Sequence, residues 1–124
     1  MIHVSNADFD QAVQAALDTI PDEFRPYLDN VSVEVRHRPD AKLLAEYEET
    51  DDLLGLYVGV PLEEKGPGHD APPLPDRILI FRENLCLLCE TWEELVQEIR
   101  VTVLHEIGHH FGLDEDRLAE LGYE

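Results

Sequence analysis

Thr91-Trp-Glu-Glu-Leu-Val-Gln-Glu-Ile-Arg100-Val-Thr-Val-Leu-His105-Glu106-Ile-Gly-His109-His-Phe-Gly112-Leu-Asp-Glu115 carries the most informative pattern in the chain. It contains H-E-x-x-H, and the chemistry of that spacing depends on the segment being helical. Thr91 followed by Glu94 forms a capping box, in which hydroxyl and carboxylate satisfy orphan amides at a helix start. Trp92, Val96, Ile99, Val103 and Ile107 recur at spacings of three and four, an apolar stripe long enough to hold the helix against a sheet. Glu98, Thr102, His105 and His109 run along a different stripe. Gly112 follows the last apolar residue, where a left-handed cap without a Cβ penalty turns the chain back.

On such a helix, residues four apart project from one face, so His105 and His109 aim two imidazoles at one point. Two imidazoles at this spacing suit a zinc ion. Glu106 lies slightly further round the turn, within reach of a water at that point, and is placed to be the general base. A catalytic zinc takes three protein ligands and leaves one position open. The turn at Gly112 brings Glu115 to the tenth residue after His105, where zincins of the H-E-x-x-H-x-x-G-x-x-H/D type place their third ligand. Asp114 and Asp116 flank it, and a one-residue difference in the turn exchanges them; Glu115 ranks first and Asp116 second. The plain alternative, two surface histidines on an amphipathic helix, requires neither the glycine nor the carboxylates that follow it. His110 points about 100° away from His109 round the helix, outside the ligand set.

The 124 residues, 44% of them hydrophobic, suit one domain spanning 1–124 with one core. Nine basic residues against 28 acidic leave a formal charge of −19, which repels phosphate backbones and anionic lipid. The expectation is no nucleic acid and no membrane partner. Met-Ile-His-Val-Ser-Asn-Ala-Asp lacks the basic start and apolar run of a signal peptide, no later stretch approaches membrane length, and the default compartment is cytoplasmic.

Asn6 is read as the cap of a first helix that buries Phe9, Val13, Ala16, Leu17 and Ile20 and stops at Pro21. Pro21 to Leu28 reads as a turn or one helical turn. Val31-Ser-Val-Glu-Val-Arg36 alternates with period two and is a half-buried strand. Ala41 to Asp52 is acidic and reads as a solvated face, with attraction of basic peptide segments as the functional alternative. Leu54-Gly-Leu-Tyr-Val-Gly-Val60 alternates again, with Gly55, Tyr57 and Gly59 on one nearly bare side. Glycines in a strand mark close approach, and an edge strand can add an extended peptide by main-chain pairing. Glu63 to Asp76, rich in proline, reads as an exposed loop. Arg77-Ile-Leu-Ile-Phe-Arg82 is a continuous apolar run between charges, which suits a central strand covered on both faces. Cys86 and Cys89 form one C-x-x-C without a second ligand pair nearby, and read as free thiols, with a redox pair or local disulfide as the alternative.

Thr102-Val-Leu-His-Glu-Ile-Gly-His-His-Phe-Gly112, the carboxylates just beyond it, Leu54 to Pro61 and Arg77 to Arg82 together resemble the small bacterial zincin-like metallopeptidases, single-domain minimal zincins of about this length. The resemblance covers most of the chain. It implies an α+β zincin-like fold: a small mixed β-sheet packed on an N-terminal helix and the H-E-x-x-H helix, with a short C-terminal helix. It also implies hydrolysis of peptide bonds with Zn2+ held by His105, His109 and Glu115, Glu106 as catalytic base, and a peptide or unfolded protein as substrate bound along an edge strand. The family pattern favours Asp at the third-ligand position, whereas this chain has Glu115 there and Asp116 next. The ion itself can stabilise the oxyanion, and nothing in the spacing supports Tyr57 or Tyr123 in that role. The competing reading from another class is a zinc-binding regulatory or interaction module with little or no turnover. A third ligand on a distant downstream helix is disfavoured, because few residues follow Glu115.

Overall fold

The computed structural model describes residues 1–59, 75–113 and 115–120, without the side chains of Glu115 and Arg117. Helix α1 (Asn6–Asp18) is followed by a 3-10 helix (Asp22–Leu28), strand β1 (Val31–Arg36), helix α2 (Ala41–Tyr47), strands β2 (Gly55–Val58) and β3 (Asp76–Phe81), and helices α3 (Arg82–Leu88), α4 (Trp92–Phe111) and α5 (Glu115–Glu120). The strands form a mixed sheet in the order β1-β3-β2, with β1 parallel and β2 antiparallel to β3. This is the α+β arrangement that the resemblance implies.

β3 is central, and its continuous apolar run follows from burial on both faces. Ile78 and Ile80 point into the main core with Tyr57, Phe9, Val13 and Ala16 of α1, and Leu95, Ile99, Val103 and Ile107 of α4. Leu79 and Phe81 point the other way, onto Leu56, and Leu43 and Tyr47 of α2 close that smaller cluster. Alternation with period two along one strand thus feeds two layers of packing.

α4 starts where its capping box requires. The Thr91 hydroxyl accepts from the Glu94 amide at 3.1 Å, and the Glu94 carboxylate reaches back to the Glu90 amide at 3.5 Å. Gly112 ends the helix at φ 63°, in the left-handed region that glycine enters without a Cβ penalty. The buried surface differs from the single stripe read from the sequence. Trp92 is exposed, and Leu95, Thr102, Leu104 and Gly108 are buried beside Ile99, Val103 and Ile107. α4 packs against α1 as well as β2 and β3, so it buries a band wider than one sheet contact needs.

Three further corrections are local. The α1 cap is Ser5 rather than Asn6, because the Ser5 hydroxyl accepts from the Asp8 amide at 3.0 Å. The acidic segment contains a helix, α2, capped by Asp40, whose carboxylate accepts from the Leu43 amide at 2.7 Å. A second unread helix, α3, joins β3 to α4; its buried Leu85 and the buried Cys89 just after it fasten the joint to the main core. The loop expected from Glu63 lies outside the described residues as far as residue 74, as does Val60 at the end of the expected strand. Cys86 and Cys89 are both free thiols. Burial pushes the Cys86 thiol up and, with Glu98 and Glu94 adding to it, pushes Cys89 up to about 11. Neither is a ready nucleophile. Among the described residues no helix is long and apolar enough to cross a membrane.

Candidate metal centre and its cleft

The last turns of α4 carry His105, Glu106 and His109, and one ligand atom from each lies within 4.8 Å of the others. The two imidazole centroids are 4.1 Å apart with their planes tilted by 55°. Tetrahedral zinc holds neighbouring nitrogens about 3.3 Å apart, given bonds near 2.0–2.1 Å. Both histidines are exposed. Two imidazoles four residues apart on one helix are donors that suit zinc, with the Glu106 carboxylate beside them.

Glu106 is set apart from the histidines by its surroundings. It is half-buried, and Oε1 accepts from the backbone amide of Tyr57 at 2.9 Å. Burial holds its carboxyl above the usual carboxylate range; the Tyr57 amide and His109 pull it back, and Glu49 adds a smaller push upward. The contact with Tyr57 exists because β2 lies close to α4. A Cβ on Gly55 would meet Thr102 Cγ2 at 2.5 Å and the Leu79 carbonyl at 3.0 Å, so only glycine admits this approach.

Tyr57 is fixed from both ends. Its hydroxyl donates to Asp76 Oδ2 at 2.7 Å in a buried contact, and its ring stacks on His110 with centroids 3.8 Å apart and planes 13° from parallel. Phe111 meets the same ring edge-on at 6.0 Å. Burial, with donation to Asp76 and the Asp76 charge adding to it, pushes the phenol well above its ordinary pKa. A phenol engaged in this way faces Asp76 and has no role as an oxyanion donor in this arrangement. Tyr123 lies outside the described residues.

A cleft of about 600 Å3 runs between α4 and the β2 edge, with Glu106, His105 and His109 in its wall. Leu53, Leu54 and Val101 supply apolar surface, and Glu49 and Glu98 supply charge. Of the residues read as ligands, His105 and His109 come together here with Glu106. Glu115 opens α5, but its side chain lies outside the described residues, as does Asp114 altogether; Asp116 is exposed on α5. The residues that sequence reasoning missed are Tyr57, through its amide, and Asp76. The Gly55-Leu-Tyr57-Val-Gly59 pattern carried a signal for the first, since it marked the side of β2 on which something approaches. Asp76 carried none.

A family model described as zincin-like metallopeptidase matches residues 28–123. No curated protein matches the chain. The matched stretch takes in the whole sheet, the H-E-x-x-H helix and the turn beyond it. Since it covers well over half of the sequence, the chain belongs to the zincin-like metallopeptidase family.

Proposed function

We propose that this protein is a zinc-dependent metallopeptidase that hydrolyses peptide bonds in unstructured peptides or unfolded proteins, with Glu106 as general base. The observation that carries the reading is the placement of Glu106, between the imidazoles of His105 and His109 in sequence and held by the Tyr57 amide at 2.9 Å. His105, His109 and Glu115 would hold the ion. Zinc, when bound, lowers the pKa of water towards ~7 and polarises the carbonyl under attack. Glu106 takes the proton from the attacking water and passes it to the leaving amine. Burial of Glu106 favours its neutral form, which suits a group that must hold a proton between the two transfers. β2 is an edge strand among the described residues, so it can align an extended peptide beside these groups by main-chain pairing.

The test is Glu106→Gln in the zinc-loaded protein. Chelator-sensitive cleavage of unstructured peptides by wild type, lost in a variant that keeps its zinc, supports the peptidase. No cleavage by wild type across a broad peptide library would support a zinc-binding regulatory or interaction module instead.

A further inference from the structure

The carbonyl of Leu54 accepts from the amide of Phe81 at 3.0 Å, which makes Leu54 and Phe81 a bonded pair of the antiparallel ladder. Bonded and non-bonded pairs alternate along such a ladder. Gly55, opposite Ile80, and Tyr57, opposite Ile78, therefore turn their main-chain groups away from β3 and towards the cleft. These are the groups that an added strand would use. The Tyr57 amide is already engaged, because it donates to Glu106 Oε1 at 2.9 Å.

Nor can this amide easily swing aside. The Tyr57 hydroxyl is bound to Asp76 at 2.7 Å and its ring is stacked on His110 at 3.8 Å, while Gly55 sits hard against Thr102 two residues earlier. One fixed N–H thus faces two acceptors: the Glu106 carboxylate and any peptide carbonyl that pairs at this position.

We infer that Tyr57 is a positioning residue whose amide is handed over. In the substrate-free protein it holds Glu106 against the strand, and when a peptide adds to the β2 edge it passes to a peptide carbonyl, releasing Glu106 towards the scissile bond. One hydrogen bond breaks and one forms, with no covalent change. This rests on the peptidase reading above and adds a condition to it: ligands that do not reach Tyr57 leave the base held. Extension of a peptide across Tyr57 then raises kcat and does more than lower KM.

The direct test uses zinc-loaded protein carrying 15N-tyrosine, four residues in all, with the Tyr57 amide assigned by its absence in Tyr57→Phe. Its proton shift is compared between wild type and Glu106→Ala, first free and then saturated with a substrate peptide whose scissile amide is reduced to CH2–NH. Without peptide, Glu106→Ala should move the Tyr57 signal upfield, and Glu106→Gln, which keeps an acceptor, should move it less. With peptide bound, the difference between wild type and Glu106→Ala should vanish. Persistence of the difference overturns the handover, and so does an analogue that fails to bind, since no strand then adds at the edge. A second readout reduces successive non-scissile amides of the peptide to methylenes. One position should lower kcat about tenfold or more with a smaller change in KM; losses confined to KM overturn the proposal. Failure of wild type to cleave the unmodified peptide would count against the peptidase reading, while the spectroscopic comparison, run in that case with the same uncleaved peptide at saturation, still decides the handover.

Discussion

Oε1 of Glu106 lies 2.9 Å from the amide nitrogen of Tyr57, a contact that spans 49 residues of sequence and ties the H-E-x-x-H helix to the edge of the sheet. The carboxylate at the centre of the candidate chemistry is therefore positioned by β2 as much as by its own helix. Changes in β2 should reach Glu106 without touching the histidines.

Glu106→Gln should leave zinc content near that of wild type while lowering peptide hydrolysis by about 10² to 10⁴, the usual worth of a general base. Metal analysis and kcat on one preparation of each protein check this. Equal cleavage by both proteins would assign the activity to a contaminant.

His105→Ala and His109→Ala should each abolish stoichiometric zinc, since two ligands hold a catalytic ion poorly. Glu115→Ala should lose zinc and Asp116→Ala should keep it. The reverse pattern in the last pair, read by competition with a chelating dye, would move the third ligand to Asp116.

Gly55→Val places a Cβ where Thr102 Cγ2 and the Leu79 carbonyl already stand. Overpacking of this kind costs about 1–3 kcal/mol. Urea unfolding should show that loss. Hydrolysis should fall further than the folded fraction does, with zinc content unchanged, because the strand that carries the Tyr57 amide is pushed off α4. Wild-type activity in the folded variant would detach β2 from the chemistry.

Tyr57→Phe removes the buried bond to Asp76, and a hydrogen bond to a charged group contributes about 1.5–3 kcal/mol. The pH dependence has a definite sign. The phenol pKa is raised in the folded protein by burial, then by Asp76, so this contribution is complete below the unfolded value near 10 and is lost as pH rises beyond it. Denaturant midpoints from about pH 8 to 11 should therefore fall more steeply for wild type than for Tyr57→Phe. Parallel slopes would show that the phenol titrates as it does in the unfolded chain.

Features set by short-range geometry are legible along the chain. The Thr91 and Glu94 pair located the start of α4, Gly112 located its end, and a spacing of four put His105 and His109 on one face. Alternation along Val31 to Arg36 gave β1 residue for residue, and the apolar run from Arg77 gave the central strand to within one residue at each end. Short α2 and α3 were missed because seven residues carry too little periodicity to stand out from an acidic run or a strand boundary. Trp92 fits the spacing of the apolar stripe and is nonetheless exposed, whereas Leu95 in the same turn is buried. Three contacts come from packing alone: the bare side of β2 meets α4, Tyr57 gives its amide to Glu106, and Asp76 and His110 hold Tyr57 in place. Those contacts depend on strand order, ladder register and the rotation of α4 about its axis. None of these leaves a mark within one helical turn or one strand, so residues far apart in the chain become partners only when the layers are packed.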